Sequence, residues 1–129
     1  MLDTDVFSFI TKGDPRAEGF RSALEGKTPC LAFATVAELF KGAVKARWDD
    51  ARVRRLEAAI REYLVVPYDF ELTRICGRLI ADRETSGRRM EEFDAWIAAT
   101  ALRHAIPLAT NNVKHFEGIA GLEIVVPAT

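Results

Sequence analysis

Short apolar runs alternate with amphipathic stretches of helical period along the whole chain, and nothing else in the sequence limits its folds so strongly. Pro29–Ala34, Leu64–Pro67, Pro107–Thr110 and Leu122–Val126 are compact and apolar, as buried strands are. The opening MLDTD reads as one further, very short strand. Strands separated by helices imply right-handed crossovers and a parallel sheet covered on both faces. The expected fold class is therefore α/β, a three-layer α/β/α sandwich with a mainly parallel sheet of four to five strands. The 129 residues contain no internal repeat or linker, so a single domain over 1–129 is expected.

The helices carry their own punctuation. Val6–Ile10 and Pro15–Leu24 read as helical, the latter with Asp14 as N-cap, Pro15 at the first position and Gly26 as a stop. Thr35 and Glu38 have capping-box spacing before a helix with Val36, Leu39, Phe40, Ala43 and Val44 on one face. A helix from about Asp49 presents Val53, Leu56, Ala59, Ile60 and Tyr63. Phe70, Ile75, Cys76, Leu79 and Ile80 mark another, ending near Gly87. Glu91–His104 is the most strongly marked, with Ile97, Ala98, Ala101 and Leu102 toward the core.

Composition excludes several classes. No apolar run approaches the roughly 20 residues of a membrane span, and Asp3 and Asp5 stand where a signal peptide would be basic. A cytoplasmic location with no membrane partner is expected. Cys30 and Cys76 read as small buried hydrophobes rather than a disulfide. A formal net charge of −1 argues against a nonspecific nucleic-acid binder, so any nucleic-acid contact must be local.

In parallel sheets ligands gather beyond the carboxyl ends of strands, and this chain places acids there. Asp3 and Asp5 end the first strand, and Glu38 lies one turn into the helix after the second. Asp94 opens the helix before the fourth strand, and Asn111 and Asn112 follow that strand. Clustered carboxylates repel one another, and burial disfavours their charge. A hard divalent cation with oxygen ligands, Mg²⁺ or Mn²⁺, resolves this and can activate water for phosphodiester hydrolysis. Each acid alone also has an ordinary role, Glu38 in a capping box and Asp94 at a helix dipole. The spacing by itself is not a diagnostic metal motif.

The same residues resemble the PIN-domain family, and within it the VapC-type toxins of type II toxin–antitoxin pairs. LDTDVFSFI is similar to the family's opening block, ATVAELFKGA (34–43) to its second, and FDAWIAATALRHAIPLATNNVKHFEGIAGLEIV (93–125) to its third and fourth. The resemblance implies a PIN-like sandwich with an acidic pocket for Mg²⁺ or Mn²⁺. It implies Asp3, Glu38 and Asp94 as core acids, with Asp3 and Asp94 as direct metal ligands. Glu38 would reach the metal through water or orient the attacking water. It further implies endonucleolytic cleavage of RNA, tRNA or rRNA, by a protein held inactive by a VapB-like antitoxin and commonly homodimeric. Asn112 stands where many relatives carry Asp; it can coordinate through its carbonyl oxygen but supplies no charge. That departure favours one metal ion over two, and leaves open a catalytically silent PIN-fold module that only binds a partner. On a continuing strand the Asp5 side chain would alternate away from Asp3, outside the catalytic set.

Other features have two readings. Thr4 and Thr110 serve the pocket or only turn and strand packing. Arg47, Arg52, Arg54, Arg55 and Arg61 are interleaved with acids and read as a solvated face. Arg88 and Arg89 precede Asp94, where RNA contact and solvent are balanced alternatives. His104 and His115 are expected at the surface rather than on a metal. Trp48 and Trp96 read as core, with Trp48 also at the edge of an apolar stripe suited to an antitoxin helix. A phosphotransfer enzyme or receiver domain fits less well, because Phe7 and Asn111 stand where those chemistries want other residues.

Overall fold

The structure, a computed structural model, describes residues 1–128. In chain order come α1 (Thr4–Lys12), a 3₁₀ segment (Pro15–Phe20), α2 (Arg21–Leu24), β1 (Cys30–Ala32), α3 (Phe33–Lys45), α4 (Asp50–Arg61) and β2 (Leu64–Val66). They are followed by α5 (Phe70–Thr85), α6 (Glu92–His104), β3 (Leu108–Ala109), α7 (Val113–Phe116) and β4 (Ile124–Val125).

The strands pair in parallel, β1 with β2 from Cys30↔Leu64 to Ala32↔Val66, and β3 with β4 from Leu108↔Ile124 to Ala109↔Val125. The N-terminus stitches these pairs together. Leu2 N–H donates to the Cys30 carbonyl at 2.9 Å, Asp3 N–H to Ala109 at 2.9 Å, and Ala109 N–H to Met1 at 2.8 Å. The spatial order is thus β2, β1, the Met1–Asp3 segment, β3, β4. The expected first strand shrinks to a single bridge at Leu2. Asp3 is the reason: its Oδ1 accepts Thr4 N–H at 2.8 Å and caps α1, so the chain turns into a helix where a strand was read.

Helices cover both sides of the strands. On one side α5 and α6 pack Leu72, Cys76, Leu79 and Ile97 into a core, joined by Phe116 of α7. On the other, α1 and α4 contribute Phe7, Leu56 and Ile60, together with Phe20 and Leu31. Burying each large apolar side chain contributes roughly 1.5–3 kcal/mol before entropy is counted. Helix α6 is buried around most of its circumference, through Ala95, Ile97, Ala98, Ala99, Thr100 and Ala101. Its alanines let α5, α3 and β1 approach closely.

Several local expectations are corrected. The cap of α3 is Ala32, with no side-chain cap bond, and the Thr35 hydroxyl is buried without a partner; the capping box does not form. Pro15–Leu24 splits into a 3₁₀ segment and a short helix, because the C-terminal residues pack there. A Cβ at Gly19 would stand 2.8 Å from Pro127 Cβ, and Ala128 N–H donates to the Gly19 carbonyl at 2.7 Å. Val44 and Phe70 lie in solvent rather than in the core. Cys30 and Cys76 are buried free thiols, as expected.

Candidate active site

One pocket gathers the candidate residues. Asp3, Glu38, Asp94 and Asn112 all line it, brought from the end of the N-terminal segment, from α3, from the first turn of α6 and from the loop after β3. Thr4, Asp5 and His115 line it too.

Asp3 is buried, and both its oxygens are engaged. Oδ1 takes the Thr4 N–H and Oδ2 the Thr110 hydroxyl, the latter at 2.7 Å. Thr110 is itself fully buried and accepts Asn112 N–H at 2.9 Å. The threonine therefore fixes the acid and the loop carrying Asn112 at once, and its pocket reading prevails over mere strand packing. Thr4 donates its hydroxyl to Glu38, so Glu38 is held by α1 instead of capping its own helix.

Asp5 overturns the alternation argument. With α1 starting at Thr4, Asp5 is a first-turn helical residue that stays on the pocket wall. Its Oδ2 accepts Asn111 N–H at 3.1 Å, tying α1 to the loop after β3. His115 is exposed as expected, yet its Nδ1 lies 3.0 Å from Asp94 Oδ2. The sequence pattern gave no sign of this contact. Trp96 packs edge-on against Phe33 at 5.7 Å, while Trp48 is half-buried with the Arg52 guanidinium 3.9 Å above its ring.

The electrostatics follow from burying like charges. Desolvation, then the neighbouring Asp5 charge, pushes the Asp3 carboxyl up to about 7. Burial likewise raises Asp5. Burial raises Asp94 too, with His115 opposing and Glu91 and Glu38 adding to the rise. Among the described residues, no three His, Cys, Asp or Glu side chains are already drawn into a closed metal cage. The donor set nevertheless suits a hard divalent cation. The candidate ligands are all oxygens, and burial disfavours the charged form of three pocket acids, which a cation would relieve.

The sequence matches the PIN domain family over residues 1–122. This chain is a PIN domain. A VapC ribonuclease from Sinorhizobium fredii is 36% identical, with 98% of this chain and 96% of the relative covered. A tRNA(fMet)-specific endonuclease VapC from Shigella flexneri is 30% identical, covering 95% and 92%. Among solved structures, VapBC-1 from nontypeable Haemophilus influenzae superposes with a TM-score of 0.83 at 28% identity, covering 98% of this chain and 96% of that one. The PIN domain here thus sits in the VapC group. No helix of the described residues is long and apolar enough to cross a membrane.

Proposed function

We propose that this PIN domain is the toxin endoribonuclease of a toxin–antitoxin pair, cutting RNA at the Asp3–Glu38–Asp94–Asn112 pocket with Mg²⁺ or Mn²⁺, and inhibited by a VapB-like antitoxin. The observation that carries this reading is the convergence of acids from three separate chain segments, with Asn112 from a fourth, into one pocket. Relatives named VapC ribonuclease and tRNA(fMet)-specific endonuclease support RNA, and transfer RNA first, as the substrate.

Asp3 and Asp94 would hold the cation, Asp3 from the buried floor and Asp94 from the start of α6. When bound, the cation would activate water and offset charge on the phosphoryl oxygens. Glu38, half-buried and pinned by Thr4, is placed to orient the water and accept its proton. Asn112 offers a neutral carbonyl oxygen, which fits a single-ion site.

A groove of about 520 Å³ between α1, α3 and α4 supports the antitoxin part of the reading. Phe7, Leu39, Trp48 and Leu56 form its apolar floor, and Arg52 and Arg55 its rim. Thr4, Ser8 and Glu38 belong to both groove and acidic pocket. A partner helix seated in the groove would therefore reach the acids, where an arginine could pair with them and exclude metal. Apolar Leu64, Tyr68 and Phe70 stand exposed and offer a second copy apolar surface to cover. The same reading carries a cytoplasmic location.

The neutral Asn112 and the lack of a closed acid cage among the described residues favour one rival, a silent PIN module that only binds its partner. Regulated expression in a bacterial host, beside Asp94→Asn, separates the two. The ribonuclease reading expects growth arrest and new RNA 5′ ends from the wild type alone, with an effect of at least 10²–10³-fold on cleavage. Arrest by both proteins, or by neither despite soluble expression, would favour the silent module.

A further inference from the structure

Beside Asp94 lies a second cavity of about 240 Å³, lined by three cations. Arg83, Arg89 and Lys114 line it, and it shares Glu91, Asp94 and His115 with the acidic pocket. The two cavities are therefore one continuous surface, acidic at one end and basic at the other.

Arg83 is the unusual member. It is only 7% exposed, on the inner face of α5. Its guanidinium donates to the backbone carbonyls of Glu117 at 2.9 Å and His115 at 3.3 Å, while its Nε is buried with no partner among the described residues. Among the described residues no carboxylate lies within ion-pair distance of it. Carbonyls satisfy hydrogen bonds but do not neutralise a charge, and a buried cation without a counter-ion is costly. Arg89 and Lys114 are exposed and likewise make no ion pair among the described residues. Several arginines elsewhere are matched, Arg16 with Asp14, Arg61 with Glu57 and Arg103 with Asp69. Here three cations without an ion pair among the described residues line one cavity beside the acids.

We infer that this basic cavity is a subsite for a backbone phosphate of the RNA, next to the phosphodiester cut in the acidic pocket. The inference rests on the ribonuclease reading above. It also answers a difficulty in it: a chain of net charge −1 with an acidic centre must hold a polyanion by local means. Arg83 provides the fixed charge, set by its backbone bonds, and Arg89 and Lys114 close over the phosphate from solvent. His115 couples the two ends, because its ring meets Asp94 while its carbonyl holds Arg83. RNA seated on the cations is thereby aligned with the acid that opens α6.

The test leaves Arg83 in place, since it braces the loop after α7, and changes Arg89→Ala with Lys114→Ala. Binding of labelled bulk bacterial transfer RNA is measured in chelator, where no metal-dependent cleavage occurs, across a salt series. A charge-matched control carries Lys45→Ala and Arg54→Ala, exposed positions away from both cavities. The subsite variant should bind about tenfold or more weakly, with the slope of log K against log salt reduced by about 1.4, while the control stays within about twofold of wild type. Unchanged affinity in the subsite variant, an equal loss in the control, or no wild-type binding would each overturn the inference. RNA 5′ ends in cells expressing wild type and Asp94→Asn report on the ribonuclease reading separately. Asp94-dependent ends with an unaffected subsite variant sink the subsite alone, whereas subsite-dependent binding without such ends sinks the ribonuclease reading and with it the placement of the subsite beside a cut.

Discussion

Asp3 and Asp69 do the same local job in opposite surroundings. Each precedes a helix and caps it, Asp3 through Thr4 N–H and Asp69 through Leu72 N–H, both at 2.8 Å. Asp69 then meets the Arg103 guanidinium, with Nη2 2.9 Å from Oδ2, and this bond above all holds its carboxyl below the ordinary range. Asp3 meets Thr110 and two further acids, and burial drives its carboxyl up to about 7. One site joins the ends of α5 and α6 by pairing charge, whereas the other keeps like charges together with no Lys or Arg on Asp3 among the described residues. The fold could have placed a cation beside Asp3, and a structural site would have one. Its absence marks the pocket as built for something else to bind.

The largest way to break this contrast is to remove the Asp3 charge. With Asp3 at about 7 in the folded protein and near 4 unfolded, the native state binds the extra proton between those values. Stability of the metal-free protein must then fall as pH rises from about 4 to about 7, by up to roughly 4 kcal/mol. Melting in chelator across that range should show the decline, and Asp3→Asn should flatten it while abolishing RNA cleavage. Adding Mn²⁺ should raise the melting temperature most at the alkaline end, where metal no longer competes with protons. A wild-type curve that rises over the same range would contradict the account of the pocket.

Asn112→Asp sharpens the comparison by adding one more like charge. The residue lines the pocket with its N–H on Thr110, so the loop need not move. Mn²⁺ affinity, followed by calorimetry, should increase about tenfold, roughly 1.4 kcal/mol. The metal-free variant should melt lower than wild type at pH 8, since it adds repulsion. Unchanged metal affinity would place the side chain outside any coordination.

That acids gather near strand ends is legible in the sequence because position relative to strands is a property of the chain, and the family resemblance singles out Asp3, Glu38, Asp94 and Asn112, which the fold brings to one pocket. The α/β alternation gives those positions even when boundaries err by several residues. Asp5 was misplaced because its role depends on where one strand stops, and a cap bond from Asp3 decides that. Arg83 was unreadable for a different reason. In sequence it is one arginine among many on an amphipathic helix. Only the packing of α7 and the residue after it against α5 supplies its carbonyl partners, His115 and Glu117. His115 meets Asp94 from the same short helix. Long-range closure, not local pattern, creates these contacts.

The smallest effect belongs to the paired site, and its sign is what matters. Arg103→Met keeps the aliphatic stem and removes the guanidinium, leaving Asp69 as a cap only. Half-exposed pairs of this kind contribute little and are screened by salt. The melting temperature should drop by a few degrees at low ionic strength, and by less in strong salt. Because the pair lowers the Asp69 pKa, its contribution is present above the unfolded value and is lost as pH falls through the folded one. Wild type and Arg103→Met should therefore converge in acid, whereas wild type and Asp3→Asn should differ in how they lose stability toward neutral pH. Two capping aspartates in one small protein would then respond to the same titration in opposite directions. If Arg103→Met instead widened its gap from wild type in acid, the charge pairing assigned to Asp69 would be wrong, and packing of the arginine stem would have to explain the loss.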